Sequence, residues 1–222
     1  MHSPLLIAHR GDRKYFPENT LVGFQSAFSK GADGVEMDIQ LVSGEILLIH
    51  DYMFDLQQEY TSLESVLQEL SQVGRLEIEI KAFTPDIIDP LNTLLKKYAP
   101  KDIEITTSEL PIVPYITKAF PQYSVGVNFN ECHYESWMSE ELYVRKVSDY
   151  LDIFSAQVAH LSNLPEEKIT ESLVHSLQRK GYITHYHIGF LEMDTQMQTY
   201  KLLQEVGIDQ CTFDDTDLLS GV

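Results

Sequence analysis

The sequence predicts an α/β protein folded as a (β/α)8 TIM barrel, with a short β-hairpin extension after the second strand. Three observations predict it. Strand-like apolar runs alternate with helix-like amphipathic segments in eight steps, at the spacing that right-handed parallel crossovers need. The 222 residues of the chain lie near the compact end of that fold's range. The competing open, doubly wound sheet lacks its Gly-x-Gly-x-x-Gly loop after the first strand.

Leu5 to Ala8 is the first apolar run, and it ends at His9-Arg10-Gly11. Glu18 to Lys30 reads as a helix, with Leu21, Phe24, Ala27 and Phe28 at helical spacing and Gly31 as its stop. Gly34 to Leu41 alternates as a strand does, with Val35, Met37 and Ile39 on one side and Glu36, Asp38 and Gln40 on the other. Ser43-Gly44-Glu45 is a turn signal, and Ile46 to Ile49 returns as a second strand ending at His50-Asp51. Helices follow over Ser62 to Val73 and Asp86 to Tyr98, with a strand from Arg75 to Ala82 between them. The rhythm continues with strands Ile103–Thr107, Tyr123–Asn130, Leu151–Val158, Tyr182–Ile188 and Ile208–Phe213. Helices between these strands are expected over Ile112–Phe120, Leu142–Tyr150, Glu166–Lys180 and Thr195–Val206. No repeat or linker divides the chain, so residues 1–222 read as one domain.

The composition narrows the function. A net charge of −18 repels phosphate backbones and anionic lipid headgroups, which argues against nucleic-acid and polybasic membrane binding. No run approaches the ~18 apolar residues of a membrane span, and no signal peptide is read before Leu5. Cys132 and Cys211 read as small buried hydrophobes in a reducing compartment. A cytoplasmic protein is expected.

In a barrel of this type the chemistry sits at the carboxyl ends of the strands. There the sequence places His9 and Arg10 on strand one, Glu36 and Asp38 on strand two, and Glu77, Glu79 and Lys81 on one face of the Arg75 strand. Charges aimed at a barrel interior must be paired or metal-bound. For the hairpin, a three-residue loop sets Asp38 opposite His50, whereas a two-residue loop shifts the pairing and turns His50 to the other face. The three-residue loop is the preferred reading. Glu36, Asp38 and Glu79 are three hard oxygen ligands suited to one divalent cation, Mg²⁺ or Ca²⁺. With that dication, Arg10 and Lys81 leave one net positive charge, which matches a phosphodiester anion. His9 and His50 can serve as general acid and base near neutral pH.

These segments resemble the glycerophosphodiester phosphodiesterase family: His9-Arg10-Gly11, Pro17-Glu18-Asn19-Thr20, Glu36-x-Asp38, His50-Asp51 and Glu79-Ile80-Lys81. The match is dense over residues 5–81. Beyond it the likeness is the barrel rhythm, plus Phe213-Asp214 where the family's closing strand carries Thr-Asp. The resemblance implies hydrolysis of a glycerophosphodiester to an alcohol and sn-glycerol 3-phosphate. It also implies Glu36, Asp38 and Glu79 as metal ligands, His9 and His50 as the acid/base pair, and Arg10 and Lys81 on the phosphate of a small-molecule substrate. Two other readings share the motifs: a lyase that leaves a cyclic phosphate, and a non-catalytic phosphodiester-binding barrel. Three features depart from the family. The insertion after His-Asp is trimmed to Tyr52–Thr61, the Trp of the seventh strand is replaced around Tyr186-His187, and Thr216 stands near the place of a proline.

The remaining polar residues read more plainly. Glu77 lies deeper than Glu79 and reads as structural. Asn19 reads as a helix cap, with support of the first-strand loop as its second reading. His185 and His187 read as wall residues, His187 close enough to line the pocket. His133, His160 and His175 read as non-functional, and Trp137 as a loop aromatic packed on its own barrel.

Overall fold

The structure is a computed structural model that describes residues 3–128, 134–135, 137–161, 164–189 and 192–222. Cys132 and His133 lie outside the described residues. In chain order the elements begin β1 (Leu5–His9), α1 (Leu21–Ser29), β2 (Gly34–Val42), β3 (Glu45–Leu48), α2 (Leu63–Leu70), β4 (Arg75–Ile80) and α3 (Ile88–Tyr98). They continue β5 (Asp102–Thr107), α4 (Val113–Ala119), β6 (Ser124–Asn128), α5 (Glu140–Phe154) and β7 (Val158–His160). The last are α6 (Glu171–Gln178), β8 (Ile183–Ile188), α7 (Met193–Val206) and β9 (Gln210–Phe213).

Eight parallel strands, β1, β2 and β4 to β9, close on themselves because β1 pairs with both β2 and β9. Strand β3 stands outside the barrel, antiparallel to the far end of β2. The predicted barrel and hairpin extension are therefore both present.

Strand β2 explains how one short segment serves both layers. Val35, Met37 and Ile39 are fully buried in one apolar cluster with Phe24 of α1 and Leu67 of α2. The alternate residues Glu36 and Asp38 are buried as well, but on the interior face of the barrel. Strand β4 repeats the pattern, with Ile78 and Ile80 in the apolar cluster and Glu77 and Glu79 inward. The helices supply the apolar energy that holds these acids in place. Truncating a packed leucine such as Leu67 to alanine costs about 2–5 kcal/mol.

Two expectations need correction. The hairpin has a two-residue loop, pairing Val42 with Glu45 and Ile39 with Leu48. Ser43 and Gly44 both have positive φ, at 52° and 88°, the turn whose twist matches the flanking strands. Ile49, not His50, therefore lies opposite Asp38, and its amide donates to the Asp38 carbonyl at 3.0 Å. The second correction concerns the strand expected over Leu151–Val158. Helix α5 runs through Phe154 and the strand starts only at Val158. Tyr143, Val144, Val147 and Leu151 form one buried face of α5, and Ser155 ends it in a left-handed conformation.

Candidate active site

His9 is the last residue of β1. Arg10 and Gly11 follow with φ of 55° and 83°, turning the chain sharply away from the barrel. Gly11 is required there, because a Cβ would meet the Gly23 backbone carbon at 2.9 Å. The turn aims the Arg10 amide at Glu36 Oε2, 3.1 Å away. The Arg10 guanidinium reaches Asp38 Oδ2 at 3.0 Å and Glu18 Oε2 at 3.1 Å.

Register assembles the acids. His9 lies opposite Glu36, and Asp38 lies opposite Glu79. Glu36, Asp38 and Glu79 each offer an oxygen within 4.8 Å of the others, and all three are buried. Lys81, one residue beyond β4, places Nζ 2.6 Å from Glu79 Oε1 and 3.4 Å from Asp38 Oδ1. Six of the seven residues singled out from the sequence thus meet at one point.

His50 reaches the edge of the same site by another route. The ladder stops at Leu48, and Leu48 and Ile49 are both buried, so the strand alternation breaks before residue 50. Gln40 Nε2 donates to the carbonyls of Ile49 and Asp51, at 3.1 and 2.9 Å, and holds this bend. His50 is half-buried with Nδ1 2.7 Å from Asp51 Oδ1, near enough for its charge to favour ionised Asp38.

Several participants are not evident from sequence. The cap of α1 is Thr20, whose side chain accepts from the Gly23 amide. Asn19 instead clamps Asp38: its Nδ2 donates to Asp38 Oδ2 at 3.0 Å, and its Oδ1 accepts from the Asp38 amide at 3.2 Å. Asn tolerates the φ of 57° that this loop imposes. Asp214, just past β9, takes a 2.6 Å hydrogen bond from His9 Nδ1 and a 3.1 Å bond from Arg13 Nη1. His187 packs edge-on to His9, with ring centroids 4.4 Å apart. The likeness of Phe213-Asp214 to a closing strand was the available signal for Asp214, but nothing in the spacing joined it to His9.

The electrostatics follow from burial. Burial lowers His9 to about 4 despite its bond to Asp214. Burial also disfavours ionised Asp214, yet His187, with Nε2 3.4 Å from Oδ1, and the hydrogen bond from His9 hold it well below the usual carboxylate range. Glu36 is pushed well above its ordinary value, first by burial and then by the charges of Asp38, Glu79 and Glu77. Asp38 stays low because Lys81, Arg10 and Asn19 outweigh its burial. Glu36 Oε1 is buried with no hydrogen-bond partner. Three converging carboxylates, two of them (Glu36 and Asp38) with a buried oxygen that accepts no hydrogen bond, fit a hard divalent cation.

Two spaces adjoin the group. A groove of about 530 Å³, lined by Glu18, Asn19, His50, Met53, Phe54 and neighbours, opens beside it. A narrow shaft of about 40 Å³ descends from His9, Glu36 and Glu79 into the barrel.

Comparison with known proteins agrees with this geometry. Residues 9–71 match the model of the glycerophosphoryl diester phosphodiesterase family. A glycerophosphodiester phosphodiesterase of Caldanaerobacter subterraneus is 34% identical over 137 residues, covering 57% of this chain and 55% of its own length. The matched segment carries the sequence pattern of the glycerophosphoryl diester phosphodiesterase family. The matched residues span about half the length of the curated relatives, a Bacillus subtilis putative glycerophosphodiester phosphodiesterase included, at 30% identity and 54% of its length. Two solved structures share the fold over nearly the whole chain. The Thermotoga maritima glycerophosphodiester phosphodiesterase has a TM-score of 0.75 at 20% identity, with 100% of this chain and 99% of that one covered. An Oleispira antarctica phosphodiesterase in complex with the product sn-glycerol-3-phosphate has a TM-score of 0.78 at 18% identity, with 98% and 96% covered. No helix among the described residues is long and apolar enough to cross a membrane.

Proposed function

We infer that the protein hydrolyses a glycerophosphodiester to an alcohol and sn-glycerol 3-phosphate. The observation that carries this reading is the convergence of Glu36, Asp38 and Glu79 within 4.8 Å, flanked by His9, Arg10 and Lys81 at the carboxyl ends of three strands. In this proposal residues 1–222 act as one barrel domain on a small-molecule phosphodiester.

Glu36, Asp38 and Glu79 would hold one divalent cation, Mg²⁺ or Ca²⁺. When bound, that ion supplies positive charge to a phosphoryl oxygen and helps orient the attacking group. Arg10 and Lys81 now pair with Asp38 and Glu79. Were a dication to take over that pairing, Arg10 and Lys81 would be free to grip the phosphate.

The two histidines divide the proton work. His9 donates from Nδ1 to Asp214, which leaves Nε2 as a proton acceptor facing Glu36 Oε2 at 3.7 Å. With burial lowering it to about 4, His9 is neutral at pH 7 and serves as the base that deprotonates the attacking water. His50, more exposed and with Nδ1 on Asp51, is the group that gives a proton from Nε2 to the departing alkoxide. The phosphorus–alcohol oxygen bond breaks as the water oxygen bonds to phosphorus, and both protons are accounted for.

Phosphorus NMR on a panel of glycerophosphodiesters tests this. With Mg²⁺ or Ca²⁺ the expected products are sn-glycerol 3-phosphate and the free alcohol, and excess chelator abolishes turnover. A cyclic phosphate product, full activity in chelator, or no turnover across the panel would each overturn the reading.

A further inference from the structure

Below the mouth, the barrel interior holds a second group of ligating side chains that the proposed hydrolysis does not use. Glu77 of β4, Glu104 of β5, His160 of β7 and His185 of β8 are all buried, and each offers one atom within 4.8 Å of the others. Register builds the group: Glu77 lies opposite Glu104, and His160 lies opposite His185. Strand β6, between them, presents Gly126. A Cβ there would lie 2.6 Å from His160 Nε2 and 3.0 Å from Glu104 Oε1. The missing side chain is what allows the ring and the carboxylate to meet at 2.8 Å.

The histidines are set as ligands are set. His185 Nε2 bonds Thr212 Oγ1 at 2.5 Å, which fixes the ring and turns Nδ1 toward Glu77 Oε2, 3.7 Å away. Both His185 Nδ1 and Glu77 Oε2 are buried without a hydrogen-bond partner. A ligating imidazole whose other nitrogen is tied by a neighbour is the usual arrangement around a bound metal. Two interior carboxylates also need compensating charge. Arg75 offers one cation to Glu104 but shares it with Asp102.

We propose that Glu77, Glu104, His160 and His185 form a second, buried cation site that takes a zinc-class transition metal. Two imidazole nitrogens and two carboxylate oxygens are a borderline-soft, four-ligand set, unlike the all-oxygen trio above it. The narrow shaft, lined by His9, Glu36 and Glu79 as well as by Glu77, His160 and His185, is its route in. The ion would tie β4, β5, β7 and β8 together across the barrel and brace the floor on which the upper site stands.

The test uses the full chain, stripped with chelator and dialysed against Zn²⁺ in excess Mg²⁺. Metal analysis is expected to find about one zinc retained per chain, the stoichiometry of a closed four-ligand site. The His160→Gln/His185→Gln double variant is expected to lose that zinc, and Glu79→Gln to keep it. Co²⁺ in place of zinc should give the visible absorption of a tetrahedral site, absent from the double variant. Wild-type protein that retains no zinc overturns the proposal, as does zinc lost by Glu79→Gln but kept by the double variant. If the double variant does not fold, anomalous scattering at the zinc edge from wild-type crystals decides. A peak among the four side chains supports the site, and a peak elsewhere or none refutes it.

Discussion

The two halves of the barrel contribute differently to one site. Strands β1, β2 and β4, with the loops that follow them, supply His9, Arg10, Glu36, Asp38, His50, Glu79 and Lys81. These residues reach the mouth from segments close in sequence, most of them by local strand pairing and His50 by the bend that Gln40 holds. The half from β5 to β9 supplies Asp214 and His187, which touch His9 from the far side of the closing seam. The first half carries the groups that would meet substrate, and the second holds one of them in position. The division teaches that reacting groups rest on short-range register, while their orientation depends on closure of the whole barrel.

The largest test of that contrast is in the first half. His9→Ala or His50→Ala should lower kcat by at least ~10²-fold with little change in Tm. Near-normal turnover in both variants would remove them from the mechanism. Asp214→Asn, in the second half, should cost less, roughly 10- to 100-fold in kcat, because it removes orientation rather than the base. Its affinity for Mg²⁺ or Ca²⁺, read by calorimetry, should stay near wild type. Asn19→Ala should behave in the opposite way. It releases Asp38 and should weaken cation affinity by about 10- to 100-fold. If both variants change the same parameter, the proposed division fails.

The smallest effect is on stability. His9 drops from 6.5 to about 4 on folding, chiefly through burial. Between those values the unfolded chain binds the extra proton, so stability rises with pH across the window and is lost as pH falls from 6.5 toward 4. The full linkage is at most roughly 3 kcal/mol. Glu77, raised to about 8 mainly by burial, runs the other way: its stability is present below its unfolded value and erodes as pH rises toward 8. Comparing His9→Gln with wild type in chelator removes that background. The variant should lose less stability than wild type between pH 6.5 and 4, and parallel curves would contradict the burial of His9.

The same division accounts for what could be read without a structure. Seven of the eight barrel strands, the hairpin and six residues that converge were legible, because alternation along β2 and β4 and the strand-end position of His9 are local signals, whereas the end of α5 reads like the strand before β8. The hairpin register was not, since Ser43-Gly44-Glu45 is compatible with two loops that differ only in whether Glu45 pairs. His50 stays at the edge of the site because the chain leaves the ladder after Leu48, a break that no periodicity announces. Asn19 appeared to be a cap because Asn and Thr20 are both good caps, and only the fold shows which one clamps Asp38. Asp214 and Arg13 were missed for a different reason: their contact spans 201 residues across the seam, and only closure of the barrel creates it.

The central claim is that one dication sits among Glu36, Asp38 and Glu79. A crystal structure of the protein grown with saturating Ca²⁺ tests it most directly. The account predicts a single ion there, bonded to an oxygen of each of the three side chains at about 2.3–2.6 Å, with Arg10 and Lys81 turned toward the open mouth. Ca²⁺ bound elsewhere, or no ion among these three carboxylates, would contradict it.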